Sequence, residues 1–480
     1  MIKVRELNGP AAVEAILPAT DALQKRAGYP TPMHDPRLAL AWFKHFHGLD
    51  GSDFGPKRGK SFYGVKSRVT ALRVLLAEED GNLLGAMPLC IQHVTAAGET
   101  GEIRMLCFCS DSVMYATNDI LIDAARRPEV LEALFAYLEA DLDKGYDVLF
   151  LGYQPQRSAN LSWEREKVMA WKASGKVASL GPNRRRGGAY PWTLWPLKSN
   201  LAKVKEKLPG LAEASPEKAA RLEELLAAFE KATPGALYFP ATRSGLEKKT
   251  RAVLEDLAGE EAVAAERQAI AEQLVPMPIT HPWLDLPKTT EAFMERLSKD
   301  TRRYFTRYKK RFLEAGGIFE KVEPAQVTPA DVEDYLNLHR MRWGEDSASL
   351  NSSEAWDFHR TACMAAARAG HFTLFFAKHE GKRIASHSCL DFHPRREGWY
   401  NGRDPAQEEL RAGRLLYMET ISDAIEQGYA EYNMGYGGHD YKSSFTAAEE
   451  HSFNLLMHSG KRPIDFVRVF SGYESIVPEA

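Results

Sequence analysis

"HFTLFFAKHEGKRIASHSCLDFHPRREGWYNGRDP", residues 371–405, decides how the chain is read. Its apolar runs are interrupted twice, at "EGKR" and at "PRREG", so the stretch divides into three strands joined by two turns. Gly381 supplies the positive φ that a tight hairpin turn demands. A second stretch has the same plan: "VTALRVLLAEEDGNLLGAMPLCIQHV", residues 69–94, folds back at Asp80-Gly81. The elements around the two hairpins also correspond. "PRLALAWFKHFHG" precedes the first, and "EIRMLCFC", "PEVLEALFAYLEADLDKG" and "YDVLFLGYQP" supply a further strand, a helix and a buried strand. The helices "DVEDYLNLHRMRW" and "SEAWDFHRTACMAAARAG" precede the second, and "RAGRLLYMETISDAIEQG" and "YAEYNMGY" follow it as helix and buried strand. The chain therefore repeats a structural plan, with little repetition of residues.

At 480 residues the chain is long for one core, and two or three domains are expected. Its 26% charged and 44% hydrophobic residues are those of a globular protein. A formal net charge of -3 argues against a domain-wide nucleic-acid binder and leaves room only for local basic patches. Five cysteines, Cys90, Cys107, Cys109, Cys363 and Cys389, are too scattered for a disulfide framework and are expected to be buried and structural, with no metal. No apolar run reaches the roughly 18 residues of a membrane span, and "MIKVRELNGPAAVEAIL" lacks a signal peptide's apolar core. A reduced, cytoplasmic setting is expected.

Between the two repeats the composition shifts to Ala, Glu, Lys and Leu. "SPEKAARLEELLAAFEKATPG" has Ser215 as N-cap and Pro216 at the first helical position, and "SGLE" opens a second helix with Ser244 and Glu247 at capping-box spacing. The expected division is an N-terminal domain over 1–197, a helical-hairpin arm over 198–275, and a C-terminal domain over 276–480.

"TRRYFTRYKKRF", residues 301–312, interleaves six basic with four aromatic side chains, a pattern that suits phosphates and bases. It lies in the helical stretch "TTEAFMERLSKDTRRYFTRYKKRFLEAGG", where Phe293, Leu297, Tyr304, Tyr308 and Phe312 form one stripe. The period separates rings from charges, and most of the rings are expected to face a core. Arg302, Arg303 and Arg307 remain candidates for attracting a phosphorylated ligand.

"EGKRIASHSCLDF", "GWYNGRDP" and "LRAGRLLYMETISDAIEQGYAEYNMGYGGHDYKSSF" together resemble the acyltransferase fold of the GNAT superfamily. More closely, the series resembles the double-domain CelD/BcsL-type acetyltransferases, distant relatives of the Fem-type aminoacyl transferases. "PRLALAWFKHF", "GNLLGAMPL", "TNDILID" and "YDVLFLG" extend the likeness to the first third. The resemblance implies an α/β (α+β) fold: two GNAT-like domains in tandem, each a mixed, mostly antiparallel sheet with flanking helices, plus the helical insertion. It implies an N-acyltransferase that moves an acyl group from acyl-CoA, or another acyl thioester, to a small-molecule or lipid-linked amine in the cleft between the domains. The alternatives are a Fem-type transferase drawing on aminoacyl-tRNA, and a catalytically silent GNAT-like scaffold.

The same residues carry the expected chemistry. Arg411, Ala412, Gly413 and Arg414 put a glycine where a loop enters a helix, the place at which free N–H groups hold the pyrophosphate of coenzyme A. Tyr400 and Asn401 end the neighbouring strand, beside the path implied for the acyl chain. His439, Asp440, Tyr441 and Lys442 follow the buried strand, where α/β sites tend to sit. Of these, Tyr441 is assigned to protonate the leaving thiolate and Asp440 or His439 to accept the amine proton, while Lys442 neutralises phosphate. His387, on the hairpin, completes the catalytic candidates. Tyr115, Asn118 and Asp119 are the first domain's candidates for the acceptor pocket.

Overall fold

The turn residues do what the hairpin signals demand. In the computed structural model Asp80 and Gly81 take φ of 51° and 81°, and Glu380 and Gly381 take 50° and 76°. Two successive left-handed residues give the turn whose twist matches that of the flanking strands. Each hairpin also shifts register beside its turn, between Ala77 and Glu78 in one and between Ala377 and Lys378 in the other. The repeat is thus visible down to a single irregularity.

The structure describes residues 1–28, 31–32, 35–47, 65–96, 102–109, 117–155, 157–174, 178–184, 216, 220, 279–343, 350, 353–435, 441–446 and 448–459. Residues 216 and 220 apart, the expected helical arm, with its capping residues Ser215, Ser244 and Glu247, lies outside them. The N-terminal half runs β1 (Lys3–Asn8), α1 (Pro10–Glu14), α2 (Leu17–Gln24), α3 (Pro36–Phe46), β2 (Val65–Glu79), β3 (Asn82–Ala96), β4 (Ile103–Phe108), β5 (Leu121–Ile122), α4 (Arg127–Asp141), β6 (Val148–Pro155), α5 (Ala159–Ala173) and β7 (Ala178–Arg184). A second series follows. It comprises β8 (Ile279–Asp285), α6 (Thr290–Arg296), α7 (Lys299–Glu314), β9 (Ile318–Val322), α8 (Pro329–Trp343), α9 (Ser353–Arg368), β10 (Phe372–His379), β11 (Lys382–Phe392), β12 (Arg395–Arg403), α10 (Ala412–Glu426), β13 (Glu431–Asn433) and β14 (Glu449–His458).

Among the described residues the strands join in the order β1-β2-β3-β4-β6-β14-β8-β13-β12-β11-β10-β9, with β5 on β3 and β7 on β14. Each half is mostly antiparallel with one parallel pair, β4 with β6 and β12 with β13. This is the expected architecture of two GNAT-like halves in tandem. The halves share strands: β14, late in the chain, pairs with β6 of the first half. Pro282 lies within β8. It sits where β8 hands over from β14, paired through residues 279–282, to β13, paired through 283–285. A residue without an N–H is tolerated at such a change of partner.

Two readings are corrected. The longer stretch "TTEAFMERLSKDTRRYFTRYKKRFLEAGG" is not one helix, because Leu297 is extended and Ser298 restarts the chain as the N-cap of α7, accepting from the Thr301 N–H. The second turn of the opening stretch is at His393-Pro394, and Arg395, Arg396 and Glu397 lie buried in β12. Their charges suggested a turn, but each has a partner. The Arg396 Nε donates to Asp391 and its Nη1 to Asp423, both at 2.6 Å, and Arg395 pairs with Glu397.

One core cluster joins the halves. Phe46 of α3 meets Phe358 of α9 at 5.4 Å between ring centroids, and His45 Nε2 lies 2.9 Å from the Thr361 hydroxyl. Two further clusters back the other faces, with α4 and α5 in the first half and α6, α7 and α10 in the second. The five cysteines are buried free thiols. Phe305, which the stripe omitted, is a core residue of α7 at 2% exposure.

Arg396 pins β11, β12 and α10 together, and truncating it strands the buried Asp391 carboxylate. Arg396→Met is expected to cost about 3–5 kcal/mol in urea denaturation. Arg360→Ala, which removes only surface pairs to Glu333 and Asp357, is expected to cost less than about 1 kcal/mol.

Candidate active site

The β12–β13 pairing lasts only from Arg395–Glu431 to Glu397–Asn433. Beyond it β12 runs on to Arg403 while β13 turns away, so the sheet forks. Two glycines make the fork possible. Gly435 has φ of 75°, and a Cβ on it would stand 2.4 Å from the Gly398 carbonyl oxygen. A Cβ on Gly398 would stand 2.9 Å from His387 Nε2.

After β12 the chain makes a 3-10 turn over Pro405–Leu410, capped by the Asp404 carboxylate on the Ala406 N–H. Arg411 then takes the left-handed conformation, φ 55°, and α10 begins. Its side chain does not cap the helix. The N–H groups of Ala412 and Gly413 have no acceptor among the described residues, as first-turn donors without a cap do not. Both residues line a cleft of ≈ 650 Å³, measured to its open mouth.

Charge in the cleft is asymmetric. Arg342, Arg403, Arg411 and Arg414 line it against Asp404 and Glu408. Glu408 braces two of the arginines, at 2.6 Å from Arg403 and 3.2 Å from Arg411. Arg414 donates to the Ser444 hydroxyl at 2.9 Å, with its guanidinium 4.2 Å over the Tyr304 ring. Four cations against two anions, beside unsatisfied N–H groups at a helix start, suit a polyanion.

The phenol of Tyr441 reaches the cleft and donates to Tyr417 Oη at 3.1 Å, and Asn401 Nδ2 donates to the same oxygen at 2.8 Å. Behind them Lys442, 3% exposed, donates from Nζ to the Gly435 carbonyl at 3.0 Å. Burial, with Arg342 adding repulsion, brings its amine down to about 7. Lys442 is thus poised between charged and neutral, unlike the fixed phosphate counter-ion the sequence suggested.

The sequence-derived residues fall into three groups. Arg411, Ala412, Gly413, Arg414 and Tyr441 converge on the cleft, with Lys442 and Asn401 directly behind it. His387 is buried between the Tyr432 hydroxyl at 3.1 Å and the Tyr417 ring, and burial, then Lys442, pushes it down to about 3. It does not line the cleft. Tyr400 packs on the other face of the sheet, against His339, His359 and Trp399. Arg302 turns back to donate to the Glu295 and Leu297 carbonyls at the end of α6, and Arg303 and Arg307 are exposed outside the cleft lining. Tyr115, His439 and Asp440 lie outside the described residues. Sequence reasoning missed Tyr304, Arg342, Arg403 and Tyr417. Only Tyr304 carried a signal, as a ring inside the basic stretch.

Among the described residues the first half has no matching helix start. Its matching helix α4 begins Arg127-Pro128-Glu129, so one N–H is absent and a carboxylate occupies the first turn. Its own fork is plugged by residues 117–120. Asn118 donates to the Gly152 carbonyl at 3.0 Å, and Asp119 accepts from the Ile120 N–H and Asn160 at 2.7 Å each. Burial raises Asp119 to about 6.

The family described as acetyltransferase (GNAT) domain matches residues 299–443. The match spans the fork, the cradle at 411–414 and Tyr441. The likeness to that family is thus carried by residues 299–443. No curated protein matches the chain. Among solved structures, FemX is similar at 9% identity, with 94% of this chain and 96% of that one covered and a TM-score of 0.49. The C-terminal domain of a putative lysylphosphatidylglycerol synthetase from Agrobacterium fabrum is similar at 11% identity, covering 93% and 92%, with a TM-score of 0.42. A tandem GNAT protein from the clavulanic acid biosynthesis pathway is similar at 10% identity, covering 96% and 100%, with a TM-score of 0.35.

Two glycines of this region are expected to answer differently to a methyl group. A Cβ on Gly413 meets only the Arg403 side chain, at 3.5 Å and beyond, so Gly413→Ala should leave the urea midpoint unchanged or slightly higher. Gly435→Ala should cost about 1–3 kcal/mol in the same measurement, from its positive φ and its contact with Gly398.

Proposed function

We propose that the protein is an N-acyltransferase that takes an acyl group from acyl-CoA and passes it to an amine acceptor at the fork between β12 and β13. The observation that supports this most is the pairing of unsatisfied Ala412 and Gly413 N–H groups with four arginines in one cleft, next to a strand fork. Coenzyme A fits the residues present. Its pyrophosphate suits the start of α10, and Gly413 offers backbone there without a Cβ to hold the ligand off.

Acyl-CoA supplies an activated carbonyl. Of the chain's own groups, Arg403, Arg411 and Arg414 bind phosphate and hold the donor in register. Tyr441, whose phenol reaches the cleft near the fork, gives its proton to the departing sulfur. The neutral Lys442 amine takes the proton that the acceptor nitrogen loses. Thr117, which reaches Glu397 across the halves at 3.4 Å, marks where the first half approaches the fork and borders the acceptor. A cytoplasmic enzyme is the setting proposed, and no helix among the described residues is long and apolar enough to cross a membrane.

Thermal shift with coenzyme A, a long-chain acyl-CoA and an aminoacyl-tRNA tests the reading. At 100 times its dissociation constant a ligand should stabilise by about 2.7 kcal/mol. A coenzyme A response that Gly413→Ala abolishes supports the proposal. A response to tRNA alone moves the chain to the Fem-type reading, and no response to any leaves the scaffold.

Lys442 gives a test that needs no acceptor. Its folded value, about 7, lies below the ordinary lysine value of 10.5, so between them the unfolded chain binds the extra proton. Stability should therefore climb as pH rises above about 7, with the full penalty present below it. Lys442→Met is expected to flatten that climb in urea titrations run from pH 6 to 9.

A further inference from the structure

The rings of "TRRYFTRYKKRF" do not all disappear into the core. Phe305 and Phe312 do, at 2% and 0% exposure, but Tyr304 and Tyr308 stay half-buried along the adjoining side of α7. They form a continuous ladder leading out of the cleft. The Arg414 guanidinium lies 4.2 Å over Tyr304, and Tyr304 and Tyr308 stand 4.6 Å apart between centroids, tilted by 42°. The guanidiniums of Arg307 and Arg311 lie 5.7 and 5.6 Å from the Tyr308 ring.

The basic residues of α7 are not equivalent. Lys309 pairs with Glu419 and Lys310 with Glu314. Arg302 caps α6 through its carbonyls. Arg307 and Arg311 have no carboxylate within ion-pair reach among the described residues. They are the two cations that flank the outer ring of the ladder. Arg303 is also unpaired but has no ring contact.

Resting on the acyltransferase reading, we propose that this ladder is a nucleotide subsite. The purine of a 3′-phosphorylated adenosine packs on Tyr304 and Tyr308, and its terminal phosphate is held by Arg307 and Arg311. Rings beside guanidiniums suit a base joined to a phosphate. Tyr308, Arg307 and Arg311 lie outside the cleft lining, so on this proposal the subsite selects donors that end in a nucleotide. Coenzyme A carries that 3′-phosphate; the terminal adenosine of a tRNA shares only the base and a phosphate on its 5′ oxygen.

Isothermal titration of the full chain separates the sources and tests the assignment. The probes are coenzyme A, dephospho-CoA lacking the 3′-phosphate, 4′-phosphopantetheine lacking the nucleotide, and an aminoacyl-tRNA. Arg307→Ala/Arg311→Ala is expected to weaken coenzyme A about 10-fold and to leave dephospho-CoA unchanged. Tyr308→Leu should weaken both nucleotides and spare 4′-phosphopantetheine, with an unchanged urea midpoint confirming that it folds. Arg303→Ala should change none of them. The same losses on tRNA in place of coenzyme A assign the subsite to RNA. Equal losses on all probes, no loss on any, or an equal effect of Arg303→Ala overturn the subsite while leaving the acyltransferase intact. If 4′-phosphopantetheine and both nucleotide probes fail to bind the unaltered protein, both proposals fall.

Discussion

A short parallel pairing governs the second half. β12 and β13 stay together for three residue pairs and then separate, and everything at the site is placed by that separation. All three residues of β13 are used in that pairing, while β12 runs on to Arg403, so the chain after β13 must be kept apart from β12. On the inner side Gly435 packs against the Gly398 carbonyl, a contact no side chain would permit. At the root, the buried Arg396 binds Asp391 of β11 and Asp423 of α10. A cation with two anions in low dielectric tolerates little displacement, since any shift leaves a charge unpaired. The fork is therefore rigid where the strands join and open where they part.

One fold used twice need not give two sites. Both halves have the turn, the register shift and the parallel pair. They differ at the start of the helix after the fork. α10 opens on Ala412-Gly413 behind a left-handed arginine, whereas α4 opens on a proline followed by a glutamate. In the first half, moreover, residues 117–120 lie against β6 and fill the gap. Burial that raises Asp119 is the cost of that plug, and its hydrogen bonds from Ile120 and Asn160 offset part of it. The first half contributes support and, through α3, a shared core.

What the sequence disclosed follows from the range of the forces concerned. The hairpins were legible because Asp80-Gly81 and Glu380-Gly381 carry a local backbone requirement. The loop-to-helix start at 411–414 was legible for the same reason. Arg342, Arg403 and Tyr417 were not, since each reaches the site only through packing between distant segments. The buried run Arg395–Glu397 misled, because charge marks a surface turn unless a partner such as Asp391 or Asp423 is known. The passage of β14 into the other half's sheet leaves no mark in its own alternation. Arg302 looked like a free cation because its acceptors are carbonyls, which every residue has.

The cleft concentrates two kinds of positive charge in a chain whose net charge is -3. Arginines at its wall keep their charge at any physiological pH and meet phosphate as planar forks. Lys442, buried behind them, keeps its charge only below about pH 7, and Arg342 at the wall helps to push it down. The two roles are linked. A bound polyanion neutralises the arginines, including the one that repels the ammonium, and so raises the proton affinity of Lys442. On the proposed reading, occupancy of the cleft by phosphate is thereby coupled to the protonation of Lys442.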